Sequence, residues 1–185
     1  MMSVDPIKNP DTIYEICKYL KATNDRNYIL FLLGIYSGLR ITDILGLRVG
    51  DVNRKTHITL KERKTGKTRR FLVNDVLRRE LRRYCTGRKA SDWLIPSRQR
   101  NPDGSNRPIC RDMALSIMHD IGELFGVDNL GCHSMRKTFG YHYYKQTGDI
   151  ATLQKIFNHS SPQTTLRYLG IEQEDIDASI RKFRF

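Results

Sequence analysis

The chain has 185 residues, 39% of them hydrophobic and 28% charged, and its 32 lysines and arginines against 20 acidic residues give a formal net charge of +12. This length fits one domain that can bury a core without disulfide or metal staples. The longest apolar run, residues 28–36, is too short to span a bilayer, and the first residues lack the pattern of a secretory signal, which predicts a cytoplasmic protein without a membrane partner.

The cysteines and histidines predict neither a disulfide framework nor a metal site. The cysteines are widely spaced, form no C-x-x-C pair and lie mostly in apolar helical patterns. We therefore predict buried or half-buried free thiols at Cys17, Cys85, Cys110 and Cys132. The five histidines lack the spacings that place two metal ligands on one helical face. The sequence thus predicts no metal and no cofactor.

The positive charge is concentrated in one quarter of the chain. Residues 54–100 contain 16 basic and 4 acidic residues, whereas the rest of the chain has 16 of each. Clustered lysines and arginines neutralise phosphates and release counterions, which gives affinity for nucleic acids. A solvated basic face explains the same pattern equally well, so both interpretations stay open at this point.

The first part of the chain predicts three helices. Asn9 and Pro10 are typical of a helix start. Residues 28–36 are apolar on nearly all sides and are followed by Gly38, which predicts a buried helix with a glycine C-cap. Thr42 is the predicted cap of a further, short helix.

A β-hairpin with a basic tip and a basic helix are predicted next. Residues 57–60 and 70–73 are strand-like runs on either side of Lys64-Thr65-Gly66-Lys67, and they form the one clear β element of the sequence. Asn74 is the predicted cap of an amphipathic helix. We expect its inward positions to be Val76, Leu77, Leu81 and Tyr84, and its outward or edge positions to be Arg78, Arg79, Arg82 and Arg83.

The remainder predicts a loop followed by helices. Residues 97–108 contain many turn-forming residues and predict a loop, and residues 113–125 predict a helix. From there to the end the pattern is helical, at about residues 133–146, 149–157, 162–169 and 172–183. The predicted fold class is mainly α with a small β-hairpin, in an α+β arrangement.

Two segments place basic side chains where a phosphate could bind. Gly38-Leu39-Arg40 puts an arginine at the junction of a buried and a short helix, with Asp43 three residues later. His133 and Arg136 stand at i and i+3 in the first turn of a helix, where backbone N–H groups and the helix dipole favour an anion. Taken singly, a structural ion pair and a capping histidine explain them better.

A third segment completes a family pattern. His159 precedes a helix start, and Tyr168 lies nine residues later on that helix; alone, such a tyrosine is usually a packing residue. Together, an arginine in G-L-R, an H-x-x-R motif, and a histidine followed by a tyrosine resemble the signature of the tyrosine recombinase or phage integrase family. The resemblance runs from about Ile7 to the C-terminal tail and agrees in order and spacing.

This resemblance implies the family's catalytic-domain fold and the activity of a site-specific recombinase or integrase, which cleaves and rejoins DNA through a 3′-phosphotyrosine without metal or ATP. Tyr168 is then the nucleophile and Lys64 matches the family's catalytic lysine, with Lys67 as the less favoured alternative. The positions that correspond to the family's phosphate-binding residues are Arg40, His133, Arg136 and His159.

Elementary chemistry is consistent with these roles. Two guanidinium groups can stabilise the negative charge that develops on a pentacoordinate phosphorus. The tyrosine phenol, with an ordinary pKa near 10, must lose a proton, and we predict that His133 accepts or holds it. Lys64 on the hairpin tip can give a proton to the departing 5′-hydroxyl, and a solvated turn lysine is its alternative explanation. Asp43 is predicted to orient Arg40.

The predicted partner is double-stranded DNA, bound by a protein associated with the nucleoid of a bacterium or phage host. The predicted DNA-binding residues are Arg63, Lys67, Arg69, Arg70, Arg78, Arg79, Arg82 and Arg83. We expect a monomer in solution and a homo-oligomer, a tetramer, on DNA. Residues 170–185 are predicted to form a tail helix that docks on a neighbouring subunit, as in the family, or equally well on its own domain.

The sequence leaves other points open. Residues 1–185 are interpreted as a single catalytic domain, and the separate DNA-binding domain that precedes it in many family members is expected to be absent. Asn158 stands where many relatives have glycine. A type IB topoisomerase and a non-catalytic DNA-binding or regulatory module are the alternative functions.

Overall fold

The computed structural model describes residues 4–61, 66, 68–171, 181 and 184. Its longer helices are α1 (Pro10–Thr23), α2 (Asp25–Ser37), α5 (Asp75–Tyr84), α6 (Arg111–Phe125), α7 (Cys132–Thr147), α8 (Ile150–Phe157) and α9 (Pro162–Leu169). Two single-turn helices are α3 (Ile41–Ile44) and α4 (Val49–Val52). The strands are β1 (His57–Lys61), β2 (Thr68–Leu72), β3 (Pro96–Arg100) and β4 (Asn106–Pro108). The α+β fold class is confirmed.

The helix boundaries follow from local capping, with one correction. The Asn9 side chain accepts a hydrogen bond from the Asp11 N–H at 2.8 Å, and α2 ends at Gly38 with a φ of 62°. The predicted start of α1 and the predicted end of α2 are therefore confirmed. The prediction that Thr42 caps α3 is wrong, because the N-cap position lies two residues earlier, at Arg40, whose side chain makes no capping hydrogen bond.

Two antiparallel hairpins are present where the sequence predicted one. Strands β1 and β2 pair as expected, from His57 opposite Leu72 to Lys61 opposite Thr68. The prediction of a loop over residues 97–108 is wrong, since β3 and β4 pair within that segment. These strands are largely exposed, so they lack the alternation of apolar and polar residues that marks a strand in sequence.

Helix α5 has its predicted cap but a different buried face. The Asn74 side chain accepts a hydrogen bond from the Leu77 N–H at 2.9 Å. Val76 was predicted to point inward, but it is 39% exposed, whereas Glu80 is only 4% exposed. Glu80 can be buried because Lys21 and Arg83 each lie 3.1 Å from its carboxylate oxygens. Arg79 Nε lies 3.5 Å from the same carboxylate, so a buried carboxylate with three cationic partners replaces the expected apolar side chain.

The apolar side chains form a large and a small cluster. The large one surrounds α2, whose residues 28–34 are all buried, and it includes side chains of α1, α5 and α6. The small one, here called the C-terminal cluster, consists of Leu153, Phe157, Leu169 and Ile171, with aromatic side chains of α7 packed against it. Helices α8 and α9 therefore carry a core of their own beside α7.

Two further predictions concern the cysteines and membranes. All four cysteines are free thiols, as predicted, but Cys110 is exposed rather than buried because it lies at the N-cap of α6, where its Sγ accepts from the Met113 N–H at 3.4 Å. None of the helices in the described ranges is both long and apolar enough to cross a membrane.

Candidate active site

Arg136 joins three helices at one point. Its side chain is 4% exposed on α7, and its two terminal nitrogens donate to backbone carbonyls at the ends of other helices. Nη1 donates to the Gly38 oxygen after α2, and Nη2 donates to the Phe157 oxygen at the end of α8 at 3.1 Å. The guanidinium carbon also lies 4.4 Å from the Phe157 ring centroid. Arg136 therefore links the large cluster to the C-terminal cluster.

Arg40 lies next to this junction. It follows Gly38, whose left-handed conformation turns the chain out of α2, and a Cβ at Gly38 would lie 2.5 Å from the Phe139 side chain. Glycine is therefore required for both its φ and its packing. Asp43, on the following helix turn, is 5% exposed. Its predicted role in orienting Arg40 stays a prediction.

His133 lies in the first turn of α7, one turn before Arg136. Its pKa is lowered from the ordinary value of 6.5 by burial of the ring and then by nearby positive charges, among them Arg136 and Arg40. Lowering the pKa favours the neutral imidazole, which can accept a proton. The coupling to both arginines also places His133 beside the same positively charged site.

His159 begins the turn between α8 and α9. Asn158 before it adopts the left-handed conformation, with a φ of 54°. Asparagine tolerates this conformation better than most residues, so the departure from the family's glycine preserves the turn. The His159 Nδ1 lies 3.1 Å from Thr165 Oγ1. Its pKa is lowered by burial and by the charges of Arg136 and Arg40.

Tyr168 on α9 places its hydroxyl in the same site. Ser161 is the N-cap of α9, and its Oγ accepts a hydrogen bond from the Thr164 N–H at 3.1 Å. The Tyr168 ring packs edge-on against His159 at 5.2 Å between centroids and against Phe157 at 5.5 Å. Its hydroxyl oxygen is closed off from solvent. Burial raises the Tyr168 pKa, whereas the charges of Arg136 and then Arg40 lower it.

The structure thus brings together the five predicted catalytic residues that it describes, namely Arg40, His133, Arg136, His159 and Tyr168. Lys64 lies outside the described residues, as do Arg63 and Lys67. Strand β2 is nevertheless hydrogen-bonded to α8, the helix that precedes His159. Its Arg69 Nη2 donates to the Lys155 carbonyl in the last turn of α8 at 2.6 Å.

The other predicted DNA-binding residues differ in their surroundings. Arg70 on β2 lies 3.1 Å from His57 Nδ1. On α5, Arg78 pairs with Asp75 at 2.6 Å, and Arg83 bonds both Asp25 and Glu80. Arg79 and Arg82 face an open cleft together with Arg54, Thr56, Asp75 and Arg78. Arg83 therefore joins α5 to α2, whereas Arg79 and Arg82 remain accessible to an anion.

Sequence reasoning missed side chains that contact the candidate catalytic residues, among them Phe157, Thr165 and Lys137. Thr165 holds the His159 ring through its hydroxyl. Lys137 places its Nζ 5.3 Å from the centroid of the Tyr168 ring. The spacing of Lys137 carried a signal for this, since it stands at i+4 from His133 and thus on the same side of α7.

Comparisons with known proteins identify the family of this chain. The model of the phage integrase family matches residues 8–174. Among curated proteins, the chain is 41% identical over 183 residues to the probable integrase/recombinase YoeC of Bacillus subtilis (strain 168), covering 99% of this chain and 98% of that protein. It is 27% identical over 163 residues to tyrosine recombinase XerA of Pyrococcus horikoshii, covering 87% of this chain and 56% of XerA.

Solved structures show the same fold. A crystal structure of XerA recombinase superposes with a TM-score of 0.74 at 18% identity, covering all of this chain and 66% of the other. A post-cleavage complex of XerH recombinase with its palindromic difH substrate gives a TM-score of 0.71 at 17% identity, covering 98% of this chain and 52% of the other. The chain thus spans about half to two thirds of these larger recombinases. On the family match and the extent of its identity to YoeC, this chain belongs to the phage integrase family of tyrosine recombinases.

Proposed function

We propose that this chain cleaves and rejoins DNA at specific sites through a covalent bond between Tyr168 and a 3′-phosphate. One observation carries the proposal: the Tyr168 ring, whose hydroxyl is buried, and the Arg136 guanidinium both pack on the ring of Phe157, which places the phenol beside the arginine. A guanidinium binds phosphate oxygens through two parallel hydrogen bonds. A phosphodiester held by this arginine would therefore bring its phosphorus to the tyrosine oxygen.

The first chemical step is an in-line attack. The Tyr168 oxygen forms a bond to phosphorus, the bond from phosphorus to the 5′-oxygen breaks, and the phenol proton leaves. The negative charge that develops on the phosphoryl oxygens is stabilised by Arg40 and Arg136. Because His133 has a lowered pKa, its neutral form can accept the phenol proton. His159, held by Thr165, donates a hydrogen bond to the phosphate from its Nε2.

The departing 5′-oxygen takes a proton from Lys64 in this proposal. The hairpin that bears Lys64 is fixed to α8 by the hydrogen bond from Arg69 to the Lys155 carbonyl, which supports a position near the site. In the rejoining step a 5′-hydroxyl attacks the phosphorus, Lys64 takes up its proton, the bond from phosphorus to the Tyr168 oxygen breaks, and His133 returns its proton to the phenol. The phosphodiester bond energy is conserved, so the cycle needs no ATP, and the two guanidiniums supply the charge stabilisation that a metal ion would otherwise provide.

Double-stranded DNA is the proposed substrate, bound by a monomer that assembles into a tetramer on the DNA. The net charge of +12 and the accessible arginines of α5 supply the sequence-independent affinity. The related XerH recombinase is seen bound to its difH substrate. Light scattering with and without DNA carrying two target sites tests the assembly. The protein mass per particle should rise from one protomer to four on the DNA, and a single protomer on DNA would contradict the proposed tetramer.

Covalent trapping tests the chemistry. Supercoiled and nicked DNA are incubated with the wild type or Tyr168→Phe in EDTA, and the reaction is stopped with SDS. We expect a covalent adduct from the wild type alone, with DNA binding retained in the variant. An adduct from Tyr168→Phe would remove Tyr168 as nucleophile. Relaxation of supercoils without strand exchange would indicate a topoisomerase, and binding without any adduct would indicate a DNA-binding module.

A sulfur-substituted substrate tests Lys64. Lys64→Ala should form the adduct slowly on ordinary DNA, because the 5′-oxygen departs without a proton donor. On DNA with a 5′-bridging sulfur the rate should recover, since a thiolate is a good leaving group without protonation. Lys67→Ala is the matched control from the same turn, and we expect it to react normally on both substrates. If Lys67→Ala, and not Lys64→Ala, is slow on ordinary DNA and recovers on the sulfur-substituted DNA, Lys67 is the general acid.

A further inference from the structure

Lys137 is a buried cation placed against the aromatic ring of Tyr168. Its Nζ lies 5.3 Å from the ring centroid, and the residue is 8% exposed. It follows Arg136 directly on α7 and shares a side of the helix with His133. The reaction proposed above gives this lysine no role, although it contacts the proposed nucleophile.

Two neighbours favour the charged form of Lys137. Burial lowers its pKa, and the carboxylate of Asp5 opposes that effect. Asp5 belongs to a segment that is fixed on α7 through Ile7, whose N–H donates to Thr138 Oγ1 at 2.9 Å. The face of the Tyr168 ring is the second favourable neighbour, because an aromatic ring attracts a cation to its face. The charge of Asp5 and the Tyr168 ring thus both favour the charged ammonium.

A cation over a tyrosine ring distinguishes the two forms of that tyrosine. A phenolate spreads part of its negative charge into the ring, so the attraction to the ammonium grows as the phenol loses its proton. In cleavage the tyrosine oxygen carries negative charge after its proton has left and before its bond to phosphorus is complete. In rejoining the same charge returns when the tyrosine leaves. An interaction that strengthens with this charge lowers the barrier in both directions.

We propose that Lys137 is a positioning residue that holds the Tyr168 ring in the site and favours its ionised form during cleavage and rejoining. This role rests on the proposed function of Tyr168 as nucleophile. The other charged or titratable groups facing Tyr168 are Arg40, Arg136 and His159, and these remain unchanged in the variants below.

The direct test measures the tyrosine pKa without DNA. 3-Fluorotyrosine is incorporated at position 168 of the full chain, and its ¹⁹F resonance is followed against pH in the wild-type background and in Lys137→Met. We expect the pKa at position 168 to rise by about one pH unit in Lys137→Met, because a nearby cation is lost. Lys137→Arg should keep the wild-type pKa, since it keeps the charge. If the methionine variant does not fold, Lys137→Gln replaces it.

Lys145→Met is the matched control. Its Nζ lies 5.6 Å from the centroid of Tyr141 on the same helix, so it removes a similar cation from another tyrosine ring. The pKa at position 168 should not change in this variant. An unchanged pKa in Lys137→Met, or an equal rise in Lys145→Met, would overturn the proposal.

Adduct formation then links the measured pKa to the reaction. We expect Lys137→Met to form the covalent adduct roughly tenfold more slowly, as one pH unit in a nucleophile's pKa implies. The defect should shrink as the pH is raised toward the tyrosine pKa, because the phenol then ionises without help from Lys137, whereas a merely structural defect would persist at every pH. If the wild type forms no adduct, the proposed function fails, but the pKa difference still decides what Lys137 does to Tyr168.

Discussion

Replacing Arg136 by lysine should cost stability although it preserves the charge. The guanidinium donates to two carbonyls that belong to different helix ends, those of Gly38 and Phe157, and it packs on the Phe157 ring. A single ammonium can reach only one of these carbonyls. Leaving the other buried carbonyl without this donor and losing the stacking should lower the free energy of unfolding by about 2–4 kcal/mol. For a chain of this size that corresponds to a drop in Tm of roughly 5–15 °C.

Thermal and urea unfolding of Arg136→Lys measure this effect. Arg167→Lys is the control, because Arg167 is an exposed arginine on α9, and its Tm should match the wild type. Hydrogen exchange locates the loss: amides of residues 150–169 should exchange faster, while those of α2 should change less, because Arg136 ties the C-terminal cluster to the rest of the chain. A Tm for Arg136→Lys as high as that of the control would refute the structural role inferred for the guanidinium.

The same variant also tests the chemical role, at a temperature where it remains folded. We expect adduct formation to fall by about 10²–10³-fold, the cost of removing one well-placed donor from a developing negative charge. Unchanged adduct formation in a protein of lowered Tm would show that Arg136 supports the site without binding the phosphate.

Three further outcomes follow from the structure. Gly140→Ala should lower the free energy of unfolding by about 1–3 kcal/mol in urea titrations, because the added Cβ would lie 2.5 Å from the side chain of Leu169 on α9. An unchanged free energy of unfolding would contradict this close packing. Arg79→Gln should reduce the slope of log K against log salt for DNA binding by about 0.9, and an unchanged slope would exclude contact between this arginine and DNA. Because burial lowers the pKa of His159 in the free protein and a bound phosphate raises it, binding should take up protons and tighten as pH falls from the raised pKa toward the lowered one, below which it levels off; calorimetry in two buffers of different ionisation enthalpy measures the uptake, and no uptake would contradict it.

Capping explains why most helix boundaries could be predicted from the sequence. The predicted caps Asn9 and Asn74 each accept a hydrogen bond from the first turn of their helix, and Asp149 and Ser161 do the same. Such signals act within a few residues, so no knowledge of the tertiary structure is needed. The prediction of Thr42 as the N-cap of α3 was wrong because Arg40 occupies that position through its backbone alone, so no side chain marks the start of the helix.

The errors concern features that depend on distant partners. Strands β3 and β4 pair with each other while exposing polar side chains, so their periodicity resembles that of a loop. The inward position of Glu80 depends on Lys21, which lies 59 residues away in sequence. Neither the pairing of two polar strands nor a buried ion pair across the chain can be read from local patterns. Lys137 differs from these cases: its spacing from His133 was a local signal, but its contact with Tyr168 exists only after α9 packs on α7.

The structure explains why three weak motifs become specific when they occur together. Arg136 contacts the carbonyl two residues before Arg40 and the carbonyl two residues before His159, so the three motifs meet through a single guanidinium. The Phe157 ring, which packs on Arg136, His159 and Tyr168, provides a second common contact. A change at any one motif therefore displaces the others. For this reason the spacing between the motifs matters as much as their residues: Asn158 can replace the family's glycine because it preserves the left-handed turn that brings His159 beside Tyr168.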